Sequence, residues 1–218
     1  MIKERPILFS APMVRAILDN RKTQTRRIIK KVDPDSFPFC ESFDEANGLP
    51  VIIFSDDIDD NVICRILVSC KYGKPGDRLW VRETWRYSNW APFSRNVALV
   101  QIQYQSDDAK IEHMVGGFSY DYHIYYRPSI HMPRWASRIL LEITNVRVER
   151  LQDISEDDAI AEGCEPYGVR TPDTPMAPSE FEGHSAIQDF SCLWESINGQ
   201  GSWDLNPWVW VLEFKRIG

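Results

Sequence analysis

The chain has 218 residues, a formal net charge of -7 and a pI near 5.2, with 43% hydrophobic and 26% charged residues. That length buries a full core, as one domain with insertions or as two small ones. The acidic balance argues against coating duplex nucleic acid through bulk charge, and leaves room for a small substrate or short nucleic-acid element gripped at one basic patch.

The apolar run Pro6-Ile7-Leu8-Phe9 suits entry into a strand. Ser10 as N-cap and Pro12 in the first turn predict a helix to about Asn20, with Met13, Ala16 and Ile17 on one face. After Arg21-Lys22, an extended segment from Thr23 to Ile29 places Thr23, Thr25 and Arg27 on one face and Gln24 and Arg26 on the other. Residues 33 to 61 are rich in Asp, Pro and Ser and read as an acidic loop with a short strand, Val51 to Phe54, inside it. Val62 to Cys70 is a predicted strand, and Tyr72 to Asp77 a turn. Arg78 to Trp85 follows as one strand. Val97 to Tyr104 and His123 to Tyr126 are weaker strands around a loop holding Gly116-Gly117.

Arg138 to Arg150 is the longest predicted strand, and its apolar parity changes near Thr144-Asn145, as a bulge would require. Ser155 opens a short helix stopped by Gly163, with Asp158 completing an approximate capping box. Residues 165 to 183 are a Pro, Gly and Thr-rich loop. Ala186 to Asn198 is an amphipathic helix, and Trp208 to Lys215 a closing strand. Many short strands with three helices between them suggest one α+β domain around a small barrel.

Chemistry is sparse in motifs. The four histidines, His113, His123, His131 and His184, lack metal-ligand spacing, so no metal is expected, and no cofactor fingerprint is present. The five cysteines are odd in number, with no CxxC. No apolar run reaches the ~20 residues of a membrane span, and the N-terminus has no signal-peptide core. Reduced thiols in a cytoplasm follow as the expectation. The anomaly is residues 15 to 31, where Arg15, Arg21, Lys22, Arg26, Arg27, Lys30 and Lys31 face a single acid, Asp19. On residue types alone, Lys22 and Arg27 read as solvated charge beside a strand threonine, Thr25.

Four islands in order change that reading: N-R-K-T-Q-T-R-R, P-G-D-R-L-W-V-R-E, I-S-E-D-D-A-I-A-E-G and W-V-W-V-L-E-F. Together they resemble the ASCH domain of the PUA-like superfamily, and the long ASCH proteins of phages and prophages in particular. The resemblance implies an α+β fold with a PUA-like small β-barrel and flanking helices, running through residues 1 to 218. Residues 33 to 61, 86 to 137 and 165 to 183 would then be insertions.

It also implies a nucleoside or single-stranded nucleic-acid ligand, in the cytoplasm of a bacterial host if the gene is phage-borne. Some small ASCH proteins deacetylate N4-acetylcytidine, with a catalytic Lys and Thr in K-T-x-T-x-R and a Glu in the helix after the long strand. These match Lys22, Thr25 and Glu162. Thr25 would be the nucleophile, Lys22 its base with a lowered pKa, and Glu162 the proton carrier to the leaving amine. Arg27 and Arg26 would bind substrate oxygens. Glu83 and Trp80, from the strand after the turn, are rim candidates, with pairing to an arginine and core packing as their structural alternatives. A binding module without chemistry and a metal-independent ribonuclease are the other two functions open at this point.

Overall fold

The computed structural model describes residues 2–30, 32, 39–46, 49–55, 65–94, 97–116, 125–164 and 185–218. In chain order its elements are β1 (Glu4–Leu8), α1 (Ala11–Leu18), β2 (Gln24–Ile28), β3 (Phe39–Ala46), β4 (Leu49–Ser55), β5 (Arg65–Ser69), β6 (Arg78–Arg82) and β7 (Trp85–Ser94). There follow β8 (Val97–Tyr104), β9 (Lys110–Gly116), β10 (Leu140–Arg150), α2 (Glu156–Ala161), α3 (Ala186–Asn198) and β11 (Trp208–Arg216). The fold is mixed α and β, and mostly sheet. Its ladders are open rather than closed on themselves.

Two compact units divide the chain. The first gathers Met1–Asn20, Asp77–Glu142 and Arg216–Gly218; the second gathers Arg21–Gly76 and Ile143–Lys215.

In the first unit β1 runs parallel to β6, with Ile7 opposite Val81. The opening residues of β10 pair antiparallel with β6, Leu141 opposite Leu79. Asp77 anchors this ladder by accepting from Arg5 Nη1 at 2.8 Å and the Lys3 backbone N–H at 2.9 Å. A separate antiparallel sheet, β7-β8-β9, carries the unit's core of Trp85, Tyr87, Val100, Ile102 and Tyr104, closed by Met132 and Ala136.

In the second unit β11 pairs antiparallel with β2, setting Leu212 opposite Thr25 and Trp210 opposite Arg27. The β3-β4-β5 meander forms its own sheet. The core joins α2, α3 and β11 through Leu151, Ala159, Phe190, Trp194, Val209 and Val211. Both helix starts are set by serine caps. Ser155 Oγ accepts from the Asp158 N–H, and Ser185 and Gln188 exchange side-chain and backbone bonds in a full capping box.

Four expectations change. The acidic stretch holds two strands, because cross-strand pairing such as Phe43 opposite Ile52 outweighs its loop-like composition. The predicted strand over Arg78 to Trp85 breaks after Arg82, and Trp85 starts a hairpin against Tyr104 instead. β9 was not expected at all, since its alternation is weak. Of His123 to Tyr126, the first two lie outside the described residues; Tyr125 and Tyr126 are not strand, and Arg127 forms an isolated bridge to Trp85. In β10, Leu141, Ile143 and Val146 are buried while Thr144 and Asn145 are exposed, so burial changes parity where the sequence does. The predicted loop at 165 to 183 lies outside the described residues.

Phe190 is 3% exposed within the second unit's core. Phe190→Ala is expected to cost about 3–5 kcal/mol through lost burial and a cavity. Ser185→Ala, which removes only the cap of the same helix, costs ~1 kcal/mol. Urea unfolding followed by tryptophan fluorescence tests the order; equal effects would mean that α3 is not packed as described.

Candidate functional site

Lys22 lies just before β2, and the neighbouring Thr23 N–H donates to Ala161 O at 2.8 Å, which holds this turn against the end of α2. The Lys22 side chain is fully buried, and its Nζ donates to Glu162 Oε2 at 2.6 Å and to Glu162 O at 2.7 Å. Glu162 is 3% exposed and occupies the C-cap of α2, with Gly163 beyond it at φ +94. A carboxylate at a helix C-terminus meets an unfavourable potential. One ammonium answers both the terminal carbonyl and the carboxylate.

Arg26 follows on the same side. Its Nη1 reaches Glu162 Oε1 at 3.3 Å, and its Nη2 reaches Asp158 Oδ2 at 2.9 Å and pairs with Glu149. Its guanidinium also lies over the Phe190 ring, 5.8 Å from the centroid. Gln24 donates to Asp158 O at 2.7 Å and Oδ1 at 3.0 Å. Arg147 completes the group with two 2.9 Å bonds to Asp158, one of 3.0 Å to Glu149, and a pairing with Glu213. Period two in β2 therefore works as expected: Gln24 and Arg26 share the face that meets α2.

Electrostatics follow from burial. Desolvation pulls the Lys22 pKa below its ordinary value, helped by Arg27 and opposed by Glu162. Arg27 is likewise lowered by burial, against Tyr72 and Glu162. Burial alone would raise Asp158, but Gln24, Arg26 and Arg147 hold it below the usual carboxylate range. The Cys164 thiol is pushed up to about 12 by burial, despite Lys22.

The structure thus brings Lys22, Glu162 and Arg26 into one hydrogen-bonded cluster. Thr25 is 2% exposed on the other side of β2 from Arg26, and it shares that side with Arg27. Arg27 is within electrostatic range of both Lys22 and Glu162.

Glu83 and Trp80 make their contacts within the first unit. Glu83 takes Arg138 at 2.9 and 3.0 Å and Ser106 Oγ at 2.6 Å, the arginine pairing that was its structural alternative. Trp80, 8% exposed, is covered by Arg82 at 4.6 Å and Arg134 at 6.0 Å.

Sequence reading overlooked Gln24, Arg147, Glu149 and Asp158. Arg147 and Glu149 share one face of a strand by period two, which was the available signal, while Asp158 was seen only as a cap. Among the described residues no group of three His, Cys, Asp or Glu is placed to hold a metal. No helix of the described residues is long and apolar enough to cross a membrane. Comparison with family models, curated proteins and solved structures finds no match for the chain.

The buried pair makes two predictions. Lys22→Met takes from the buried Glu162 its shortest ion pair and is expected to destabilise the protein by about 3 kcal/mol, whereas Lys22→Met with Glu162→Leu recovers most of that loss. A double mutant no better than the single one would mean that the pair is not buried as described. Below the lowered pKa of Lys22 both states hold the proton, and the folded state carries the cost of a buried cation. Between that value and the ordinary lysine value of 10.5 the unfolded chain binds the extra proton, so stability attributable to Lys22 rises with pH. Urea midpoints for wild type minus Lys22→Met, taken upward from neutral pH, should climb through that window.

Proposed function

We propose that the chain is an ASCH-type protein of PUA-like fold that hydrolyses the acyl amide of an N4-acylated cytidine in a cytoplasm. The observation that carries this reading is the 2.6 Å contact between Lys22 Nζ and Glu162 Oε2, both side chains withdrawn from water. A lysine serves as a general base near neutral pH only when its pKa is pulled down, and burial pulls Lys22 in that direction.

In this reading Thr25 Oγ1 attacks the acyl carbonyl while Lys22 accepts the hydroxyl proton. The C–N bond of the tetrahedral intermediate breaks as that proton passes by way of Glu162 to the departing N4 amine. Water then attacks the threonyl ester with Lys22 again as base, releasing the carboxylic acid and restoring Thr25. Arg27, on the Thr25 side of β2, stabilises the oxyanion. Arg26 positions Glu162 through its 3.3 Å bond and contacts no substrate. This assigns Arg26 a different task from the substrate binding expected of it.

A second reading has one observation in its favour. Both carboxylate oxygens of Glu162 are engaged by cations, Oε2 by Lys22 and Oε1 by Arg26. A carboxylate held in that way makes a rigid wall for recognising a modified base without chemistry.

Incubation with N4-acetylcytidine, followed by the absorbance change on deacylation, tests the reaction. Thr25→Val and Glu162→Gln are expected to lower kcat by about 10²–10⁴-fold, with nucleoside binding retained. The rate should rise along a single limb with a midpoint below 10.5. No turnover by wild type over a panel of N4-acylated nucleosides, with binding intact, would leave the recognition reading. Chelator-resistant cleavage of RNA, lost in Thr25→Val, would instead mark a ribonuclease.

A further inference from the structure

The net charge of -7 hides a partition. The first unit contains twelve Lys and Arg against nine Asp and Glu, a net of +3, and the second thirteen against twenty-three, a net of -10. A surface able to attract an anion by its overall charge therefore belongs to the first unit.

Within it, arginines lie on aromatic faces. The Arg127 guanidinium is 5.0 Å from the Tyr87 ring centroid and 5.5 Å from that of Trp85. Arg82 lies 4.6 Å from the centre of Trp80, and Arg86 4.7 Å from that of Tyr126. Such pairs occur about once per 70–80 residues in ordinary structures, so their density here is high.

Pure packing would leave these groups buried and their charges paired, and neither holds throughout. Trp135 stands edge-on to Trp85 at 6.3 Å and to His113 at 5.6 Å while remaining 36% exposed. Tyr125, two residues from Arg127, is 74% exposed. Among the described residues no carboxylate pairs with Arg82 or Arg127, whereas Arg134 is shared with Glu4 at 2.9 Å. The buried Trp85 Nε1 and Arg82 Nε have no hydrogen-bond partner. The acid on this side of the Arg86 stack is Asp108, which takes the Tyr126 hydroxyl at 3.2 Å.

We propose that this face of the first unit binds single-stranded nucleic acid, with Trp135 and Tyr125 stacking on bases and Arg82 and Arg127 holding phosphates. Arg82 gives one N–H to Ile130 O at 3.3 Å, and neither it nor Arg127 has a carboxylate among the described residues; exposed rings flanked by such arginines suit a strand whose bases are free to leave the stack, and they offer nothing to bases already paired in a duplex. The inference does not rest on the Lys22 site, which lies in the other unit.

Fluorescence anisotropy with labelled fifteen-nucleotide oligo-dT and oligo-rU tests it in the full chain. Two or three phosphate contacts give a slope of log affinity against log salt of about -2. Trp135→Ala is expected to weaken binding at least about fivefold. Arg82→Gln should weaken it and flatten the salt slope. Arg21→Ala and Lys30→Ala, exposed in the second unit, should leave the affinity unchanged. Tighter rU than dT binding would identify RNA as the ligand, and equal binding would identify any single strand. Four results overturn the proposal: no binding at 50 mM salt, equal affinity for a duplex of the same length, equal displacement by polyglutamate, or binding lost in the Arg21 and Lys30 variants but intact in Trp135→Ala. Because Trp135 lies partly in solvent, its loss tests binding without threatening the fold.

Discussion

A fully buried ammonium is costly unless its charge is answered at once, and in the second unit the position of α2 depends on that requirement. Lys22 sits at the entry to β2, and its two bonds to Glu162 are made to one residue, at the carbonyl and at the carboxylate. Removing either partner strands a charge among Cys164, the end of α2 and the edge of the Phe190 core. The short helix, which at six residues has little intrinsic stability, is thereby fixed to β2. Arg26 also reaches Glu162, and Gln24 and Arg26 extend the connection one turn back, to Asp158.

The same arrangement perturbs the lysine. A lysine in water is protonated and inert as a base; one deprived of water is shifted towards the neutral form. Glu162 opposes that shift through its charge and hydrogen bond, and desolvation outweighs it. Arg27 adds to the pressure on Lys22, and Arg26 holds the far oxygen of Glu162. Three residues of one short segment therefore meet the end of one helix in a single buried electrostatic group.

Much of this was readable in the residues, and what was not has physical causes. The segment from Lys22 to Arg27 revealed itself by local charge, and the period of two sorted its faces correctly. The partnership of Lys22 with Glu162, 140 positions apart, came from resemblance, because no local pattern encodes a contact of that separation. Asp158 was legible as a cap since capping acts over three residues, while its bonds to Gln24, Arg26 and Arg147 arise from the ladder and α2. β3 escaped notice, while β4 was read as the short strand Val51 to Phe54, because composition argued for a loop and pairing with a neighbouring strand is what makes such residues extended. Glu83 had two readings in the sequence, a site carboxylate or a partner for an arginine, and the contacts it makes are to Arg138 and Ser106.

Burial also separates what the two units can do with similar side chains. In the second unit, whose charge is -10, the cations at the centre are withdrawn from water and matched to carboxylates, so their free energy lies in where protons and helix ends sit. In the first, at +3, Arg82 and Arg127 lie on aromatic rings without a carboxylate among the described residues. A guanidinium on a ring keeps its edge N–H groups for an outside acceptor, and loses less hydration on meeting a phosphate than an ammonium does. Whole-chain composition, which averages to an acidic protein, conceals this contrast. Cations in the interior are paired with carboxylates, and Arg82 and Arg127 are stacked on rings.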